Sequence, residues 1–299
     1  MQLLVYILAY PFLICIAYLP FRLFYLFSDL VYVLVYYVVG YRKKVVLQNL
    51  ELTFPGKDRP ELLRIRKDFY HHLCDMFLEM VKTMALSKAN LEKRFRIENM
   101  ELLRNLEDKK TVLVLCSHYA NWEWNVSINN YIDTKGYAVY QKIGNKYFDR
   151  LIKKIRSRWN TVPIQQKDTV KTIIRNEQQG IRGVFGMVSD QSPMVSKAQY
   201  WSDFMGIRVP IFNGAEVIAR KLDLSVVFLR VSKVKRGHYR AEFIPIAASA
   251  KNTSPNEITE KFLRETEKQI RQQPAHYLWT HKRWKHRGKM PAKFLRDKN

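Results

Sequence analysis

The alternation of strand-like and helix-like segments is the feature of this sequence that most constrains its fold. Short runs rich in β-branched and apolar residues alternate with longer segments whose apolar residues recur at helical spacing. This alternation predicts an α/β fold, a mainly parallel or mixed sheet flanked by helices, with a late antiparallel hairpin through LRVSKVKRGHYRAEF (229–243). The predicted strands are 95–97, 111–117, 137–143, 161–165, 183–188, 209–212, 224–234 and 239–246, and the predicted helices are 61–86, 100–106, 121–131, 147–159, 170–179, 214–222 and 255–272.

The N-terminal segment is strongly apolar, and residues 1–21 carry no charged side chain. About 20 apolar residues in a helix cross the hydrocarbon core of a bilayer, so this run is long enough to span one. Pro11 and Pro20 bend or end a helix, which favours one spanning helix followed by an interfacial segment over two full spans. A cleaved signal peptide fits poorly because the run lacks a basic start; a buried hairpin of a soluble protein is the other alternative.

A basic cluster, Arg42 to Lys44, flanks the apolar segment. Basic flanks tend to stay in the cytoplasm. We therefore predict an N-terminal membrane anchor over residues 1–41 and a cytoplasmic catalytic domain over residues 42–299.

The chain is strongly basic, with 51 Lys and Arg against 27 Asp and Glu and a net charge of +24. Such an excess predicts an acidic partner, whether nucleic acid, anionic lipid or an acidic protein. Basic residues concentrate in residues 142–175 and in the tail from Lys282, and each concentration is either a docking surface or a solvated face.

The three cysteines, Cys15, Cys74 and Cys116, are widely spaced, which indicates neither a disulfide framework nor a zinc site. Cys116 lies inside a predicted strand close to the motif described next. A thiol in a buried strand is more often inert than nucleophilic, so a cysteine nucleophile is the weaker alternative.

The stretch HYANWEW (118–124) places polar and aromatic residues directly after the strand TVLVLCS (111–117). Ligands of open α/β sheets bind at the carboxyl ends of strands. His118 and Glu123 have the spacing H-x-x-x-x-[DE], in which the acid can fix the imidazole tautomer while the other ring nitrogen accepts a proton. The pattern alone is weak, because a histidine at a strand end is commonly structural.

Several further motifs occur together with this one in a fixed order. They are YRKKVVLQNLELTFP (41–55), SHYANWEW (117–124), VSDQSP (188–193), FMGIRVPIFNGAEVIARK (204–221) and HYLWTHKRWKHR (276–287). With its apolar start, the chain resembles the lipid A biosynthesis acyltransferases (lauroyl/myristoyl type) of the lysophospholipid acyltransferase superfamily over nearly its whole length. Taken apart from the resemblance, the HKRWK run is equally compatible with a solvated tail.

The resemblance implies transfer of a fatty acyl group from an acyl carrier protein thioester to a hydroxyl of a lipid A precursor, on the cytoplasmic face of the bacterial inner membrane. It implies no metal, no organic cofactor and no nucleic acid partner. His118 is then the general base and Glu123 its orienting acid, while Arg156 and Asp190 belong to the active site. The expected substrate-binding residues are Asn121, Trp122, Gln141, Lys142, Arg158 and Gln191.

Two alternatives remain open at this stage. The acceptor is instead another membrane lipid, such as a glycerophosphate, an aminoacyl lipid or a mannosylated lipid. From a different class, a non-catalytic, membrane-tethered protein that binds anions would explain the charge equally well, although it would not explain the order of the motifs.

Overall fold

The computed structural model describes residues 1–294. Its strands are β1 (Phe95–Ile97), β2 (Val112–Cys116), β3 (Lys135–Tyr140), β4 (Thr161–Gln165), β5 (Gly183–Val188), β6 (Tyr200–Phe204), β7 (Ile207–Ile211), β8 (Ser225–Lys235) and β9 (His238–Ala247). Its α-helices are α1 (Gln2–Tyr18), α2 (Phe21–Val33), α3 (Lys43–Thr53), α4 (Arg59–Lys82), α5 (Lys88–Arg94), α6 (Met100–Glu107), α7 (Lys146–Ser157), α8 (Thr169–Gln178), α9 (Gly214–Leu222) and α10 (Glu257–Gln272).

Seven strands form one sheet in the order β1-β9-β8-β2-β5-β3-β4, and β6 pairs separately with β7. Neighbouring strands of the large sheet are parallel except for β8 and β9, which form the expected antiparallel hairpin. The predicted α/β class and mainly parallel sheet are therefore confirmed.

The central strand β2 is buried at every residue, as expected for VLVLC in a sheet with helices on both faces. It lies between β8 and β5, and its last residue, Cys116, is in register with Val188 at the end of β5. This register decides which side chains meet just beyond the two strands.

The segment predicted as a helix over residues 121–131 is instead a 3-10 helix, Trp122–Asn130. Its sequence, WEWNVSINN, is rich in aromatic, β-branched and asparagine residues, which are weak α-helix formers. The tighter helix starts where the Asn121 side chain accepts a hydrogen bond from the Trp124 amide, at 3.1 Å. Glu123 thus lies in the first turn of a short, capped helix.

The apolar N-terminus folds into two helices, because Pro20 ends α1 and precedes the first residue of α2. Pro11 lies inside α1 without ending it. Among residues 1–294 only Phe21–Val39, α2 with its π-helical extension, is long and apolar enough to cross a membrane. The longest apolar helix is therefore the second segment, where the sequence favoured residues 1–21.

One face of α2 is polar and packs on α4. The Ser28 hydroxyl donates to Asp75 at 2.7 Å, and Arg236 of the β8–β9 turn donates to both Asp29 and Asp75, at 2.6 and 2.7 Å. The opposite face exposes large apolar side chains, among them Leu23, Leu26 and Leu30, and the π-helical extension exposes Leu34 and Val38. The helix therefore packs on the α/β domain on one side and presents an apolar surface on the other.

Candidate functional site

His118 and Asp190 meet at the carboxyl edge of the sheet. Each residue lies two positions beyond the register pair Cys116 and Val188, which ends two neighbouring parallel strands. Nδ1 of His118 is 2.7 Å from Oδ1 of Asp190, although 72 residues separate them along the chain. His118 and Asp190 therefore meet because β2 and β5 are neighbours in the sheet.

The hydrogen bonds of the imidazole indicate its tautomer. An ionised carboxylate only accepts hydrogen bonds, so Nδ1 of His118 carries the proton that is donated to Asp190. Nε2 then keeps its lone pair, and the side-chain amide of Gln191 lies 3.3 Å from it as a donor. A hydroxyl that replaces this amide would find an acceptor for its proton.

The two partners shift each other's pKa. Burial lowers the pKa of His118, but the charge and hydrogen bond of Asp190 outweigh burial, so the pKa lies above its ordinary 6.5. Burial raises the pKa of Asp190, yet the charge of His118 and hydrogen bonds to the carboxylate hold it below its ordinary value. Asp190 therefore stays ionised while His118 titrates above its usual range.

Glu123 binds Arg156 rather than His118. Nη2 of Arg156 lies 2.8 and 2.9 Å from the two carboxylate oxygens, and Nε lies 3.3 Å from one of them. The 3-10 turn directs Glu123 towards α7, which carries Arg156, so the acid that contacts the imidazole is Asp190. The structure therefore does not show the expected contact between Glu123 and His118. Instead, Asp190 contacts His118 and Glu123 contacts Arg156.

Of the two candidate arginines, Arg156 is the one at this site. Arg158 instead donates to the backbone carbonyls of Thr83, at 2.7 Å, Met84, and Leu86, at 3.1 Å. Those carbonyls follow α4, so Arg158 ties two parts of the backbone together.

The other predicted binding residues are distributed unevenly. The Trp122 ring contacts the His118 ring edge-on, with centroids 5.2 Å apart. Gln141 and Lys142 follow β3 at the same edge of the sheet and are exposed. Asn121 is fully buried, so its side chain has no surface to offer a substrate, contrary to the expectation that it binds one.

An apolar cleft opens beside the Glu123–Arg156 pair and encloses about 600 Å³ of space, its open mouth included. It runs along the face of the sheet below the site. Its walls include Trp122, Val126, Ile128, Tyr137, Val139, Val114, Val184, Val188 and Leu229, with Gly186 and Cys116 on the strands. Burial, and secondarily the charge of Asp190, raises the pKa of the Cys116 thiol to about 12, so the thiol is neutral.

The C-terminal motif packs behind Asp190, although its side chains were not assigned to the site from the sequence. Tyr277 and Arg283 are buried next to the Asp190 carboxylate. Arg283 donates to the Ser192 hydroxyl at 3.0 Å, and that hydroxyl donates to the Arg283 carbonyl at 2.6 Å. The HKRWK run is therefore not a solvated tail, because Arg283 and Trp284 are only 1 % exposed. Residues 295–299 of that basic tail lie outside the described residues.

The fold and site define an α/β protein with a histidine–aspartate pair at the carboxyl edge of a mainly parallel sheet, an apolar cleft beside it and an apolar N-terminus. The chain matches the sequence model of a family described as "Bacterial lipid A biosynthesis acyltransferase" over residues 2–286. It therefore belongs to that family and is an acyltransferase of lipid A biosynthesis. A comparison with curated proteins gives no significant match.

Proposed function

We propose that the protein transfers a fatty acyl group from an acyl carrier protein thioester to a hydroxyl of a lipid A precursor at the inner membrane, with His118 as general base. The observation that carries this proposal is the Asp190 contact at Nδ1 of His118, which leaves Nε2 as a proton acceptor. Asp190, rather than Glu123, is then the acid that orients the base.

In the proposed reaction the acceptor hydroxyl displaces the Gln191 amide from Nε2 of His118. Nε2 takes the hydroxyl proton as the oxygen attacks the thioester carbonyl, giving a tetrahedral intermediate and an imidazolium stabilised by Asp190. The intermediate then expels the carrier thiolate, which takes the proton from Nε2. The carbon–sulfur bond breaks, an ester forms and the imidazole returns to its starting state.

Arg156 is the proposed donor to the oxyanion. It lines the apolar cleft, and its pair with Glu123 uses Nε and Nη2, leaving Nη1 outside the pair. A fixed guanidinium near a developing negative charge lowers the barrier more than a mobile one. In this scheme Glu123 acts by holding Arg156 in place.

The apolar cleft is the proposed site of the acyl chain, because its walls are mostly apolar and the Glu123–Arg156 pair forms part of its lining. Cys116 also lines it, but a thiol whose pKa is about 12 is a poor nucleophile. The hydroxyl therefore attacks the thioester directly, without an acyl-cysteine intermediate.

The apolar face of α2 is proposed to seat the protein in the membrane with the catalytic domain in the cytoplasm, and the basic face of α7 to receive the acidic carrier protein. Lys154 of α7 is exposed, whereas Lys153 pairs with Asp149 at 3.1 Å. Opposite charges on two partners speed their encounter in a salt-dependent way.

The test is acyl transfer by purified wild-type protein and His118→Ala, with acyl carrier protein thioester and a lipid A precursor in mixed micelles. We expect His118→Ala to lose about two to four orders of magnitude in rate, the usual contribution of a positioned base. His238→Ala, a histidine on β9 away from the site, is the matched control and should retain the rate. Equal transfer by wild-type and His118→Ala would remove His118 from the mechanism, and transfer only to a glycerophosphate acceptor would change the proposed substrate.

A further inference from the structure

The catalytic loop, residues 117–124, runs from the end of β2 into the first turn of the 3-10 helix and carries both His118 and Glu123. Its backbone is unusual at Ala120, where φ is +50°, a conformation that side-chain-bearing residues adopt rarely. A loop in such a conformation needs contacts that hold it there. Its contacts with the rest of the protein therefore matter for the position of His118.

Glu79, near the end of α4, is fully buried below this loop and touches neither His118 nor the apolar cleft. One carboxylate oxygen accepts hydrogen bonds from the Asn121 amide, at 2.6 Å, and from the Tyr239 hydroxyl, at 2.7 Å. The other oxygen accepts from the Tyr25 hydroxyl of α2, at 2.8 Å. One carboxylate thus joins the loop to α2 and β9.

Asn121 connects Glu79 to the 3-10 helix. Its amide nitrogen donates to Glu79, while its oxygen accepts from the backbone amide of Trp124. The Trp124 indole donates to the Glu79 carbonyl at 3.3 Å and to the Thr83 hydroxyl at 3.0 Å. The end of α4 therefore holds the loop on both sides of Glu123.

Burying a carboxyl group at this position costs free energy. Burial and the negative charge of Asp75 raise the pKa of Glu79 to about 7, although hydrogen bonds from Tyr239 and Tyr25 lower it. Lys233 of β8 also acts on this carboxyl as a positive charge. Packing alone would be served by an apolar side chain, so the carboxyl is present for its hydrogen bonds.

We propose that Glu79 is a positioning residue of the acyl transfer reaction, acting through its hydrogen bond to Asn121 to hold the catalytic loop. The inference rests on the proposed function, in which His118 is the base. It assigns Asn121 to the support of the loop rather than to the substrate.

The test exchanges the two partners of the hydrogen bond. Asn121→Asp places a carboxyl against Glu79, so one of the two must stay protonated or the loop must move. We expect a rate loss of about 100-fold, the scale of a small misplacement of reacting groups, and a deeper loss as pH rises. Adding Glu79→Gln reverses the hydrogen bond, with the glutamine amide donating to the new aspartate, and should restore most of kcat.

Tyr239→Phe is the matched control because it removes a hydroxyl from the same carboxylate oxygen. It keeps the aromatic ring, which packs edge-on against Trp124 of the loop with centroids 5.7 Å apart. It should lower the thermal unfolding temperature and leave kcat at the wild-type value. A kcat that falls in step with stability in Tyr239→Phe would assign Glu79 to general stability and overturn the proposal.

Hydrogen exchange of the peptide that covers residues 117–124 separates this inference from the proposed function, because it needs no substrate. Exchange there should be faster in Asn121→Asp and return to the wild-type rate in the exchanged pair. If the wild-type protein transfers no acyl group, the proposed function fails while exchange still reports on the loop. Unchanged hydrogen exchange in Asn121→Asp, or no recovery in the double variant with Glu79→Gln, would contradict the positioning role.

Discussion

At the scale of single residues, the site consists of two acid–base pairs whose partners come from different elements. Asp190 contacts His118, and Glu123 holds Arg156. The two acids are not interchangeable, because Asp190 is buried against an imidazole that titrates, whereas Glu123 binds a guanidinium that stays charged. Substitutions in the two pairs should therefore affect the rate of acyl transfer and its pH dependence in different ways.

Asp190→Asn should reduce acyl transfer by about two to four orders of magnitude, because an amide no longer selects the tautomer with a free Nε2. The proposed reaction needs neutral His118, so the wild-type rate should fall as pH drops through the raised pKa of that residue. Removing the negative charge takes away the main cause of the increase, so the midpoint of the pH–rate profile should move to lower pH. The profile of kcat/KM measures it, and an unmoved midpoint would contradict the assigned pair.

Arg156→Lys should lower kcat by about 100-fold or more, the range for loss of one oxyanion donor, because lysine cannot keep a two-pronged contact with Glu123 while offering a further donor. Arg158→Lys is the matched control, since Arg158 donates to backbone carbonyls after α4 and lies over the Trp159 ring. Its effect should appear in stability rather than in kcat. Single-turnover rates at saturating donor measure both. Equal losses of kcat in the two variants would deny Arg156 a special role.

At the scale of elements, β5 belongs both to the histidine–aspartate site and to the wall of the apolar cleft. Asp190 follows it, and Gly186 within it lines the apolar cleft. A Cβ added at Gly186 would meet only the Tyr137 carbonyl, at an ordinary 3.6 Å. The strand therefore tolerates a side chain that takes space from the cleft.

Gly186→Val should keep the fold and shift the donor preference towards shorter acyl chains, because its methyl groups occupy cleft volume. The measurement is kcat/KM over a series of acyl carrier protein thioesters of increasing chain length. Gly186→Ala should give a smaller shift in the same direction. A chain-length profile identical to wild type in both variants would place the acyl chain elsewhere.

Elements with strong local patterns were predictable from the sequence, whereas pairings between them were not. The predicted bounds of β4, β5 and α9 agree with the structure. Turn-forming residues precede all three elements, namely Asn160, Gly180 and Asn213. Strand β6 was missed, since its pattern is weak and it pairs only with β7. His118 and Asp190 were both selected from the sequence, but their contact depends on β2 and β5 being neighbours, and no local pattern encodes strand order.

At the scale of the whole molecule, the apolar N-terminus is part of the structure of the catalytic domain. Tyr25, Ser28 and Asp29 of α2 bind carboxyl, histidine and arginine side chains of α4 and of the β8–β9 turn. Lys82 at the end of α4 donates to the carbonyls of Ala17, at 2.8 Å, and Leu19. Residues 1–41 therefore act as more than a tether.

Deletion of residues 1–41 should destabilise the remaining chain, because several buried polar groups lose a partner. Asp75 loses the Ser28 hydroxyl and Glu79 loses the Tyr25 hydroxyl, while Lys82 loses both of its carbonyl acceptors. Each unsatisfied buried polar group costs about 1–3 kcal/mol, so the loss of several is comparable to the stability of a domain. Thermal unfolding in detergent micelles, compared with the full chain, measures this. A truncated protein that unfolds at the wild-type temperature would show that the anchor and the domain are independent.

The polar face of α2 also restricts rotation of the helix about its own axis. Rotating the helix by half a turn would bring Asp29 out of its contacts with Arg236 and His71 and into the lipid, where an aspartate costs about 2.5–3.5 kcal/mol at the bilayer centre. In the proposed membrane seating, the helix thus has a single favourable rotation about its own axis. Because Tyr25 on the same face donates to Glu79, that rotation would also fix the orientation of the catalytic loop relative to the proposed membrane surface.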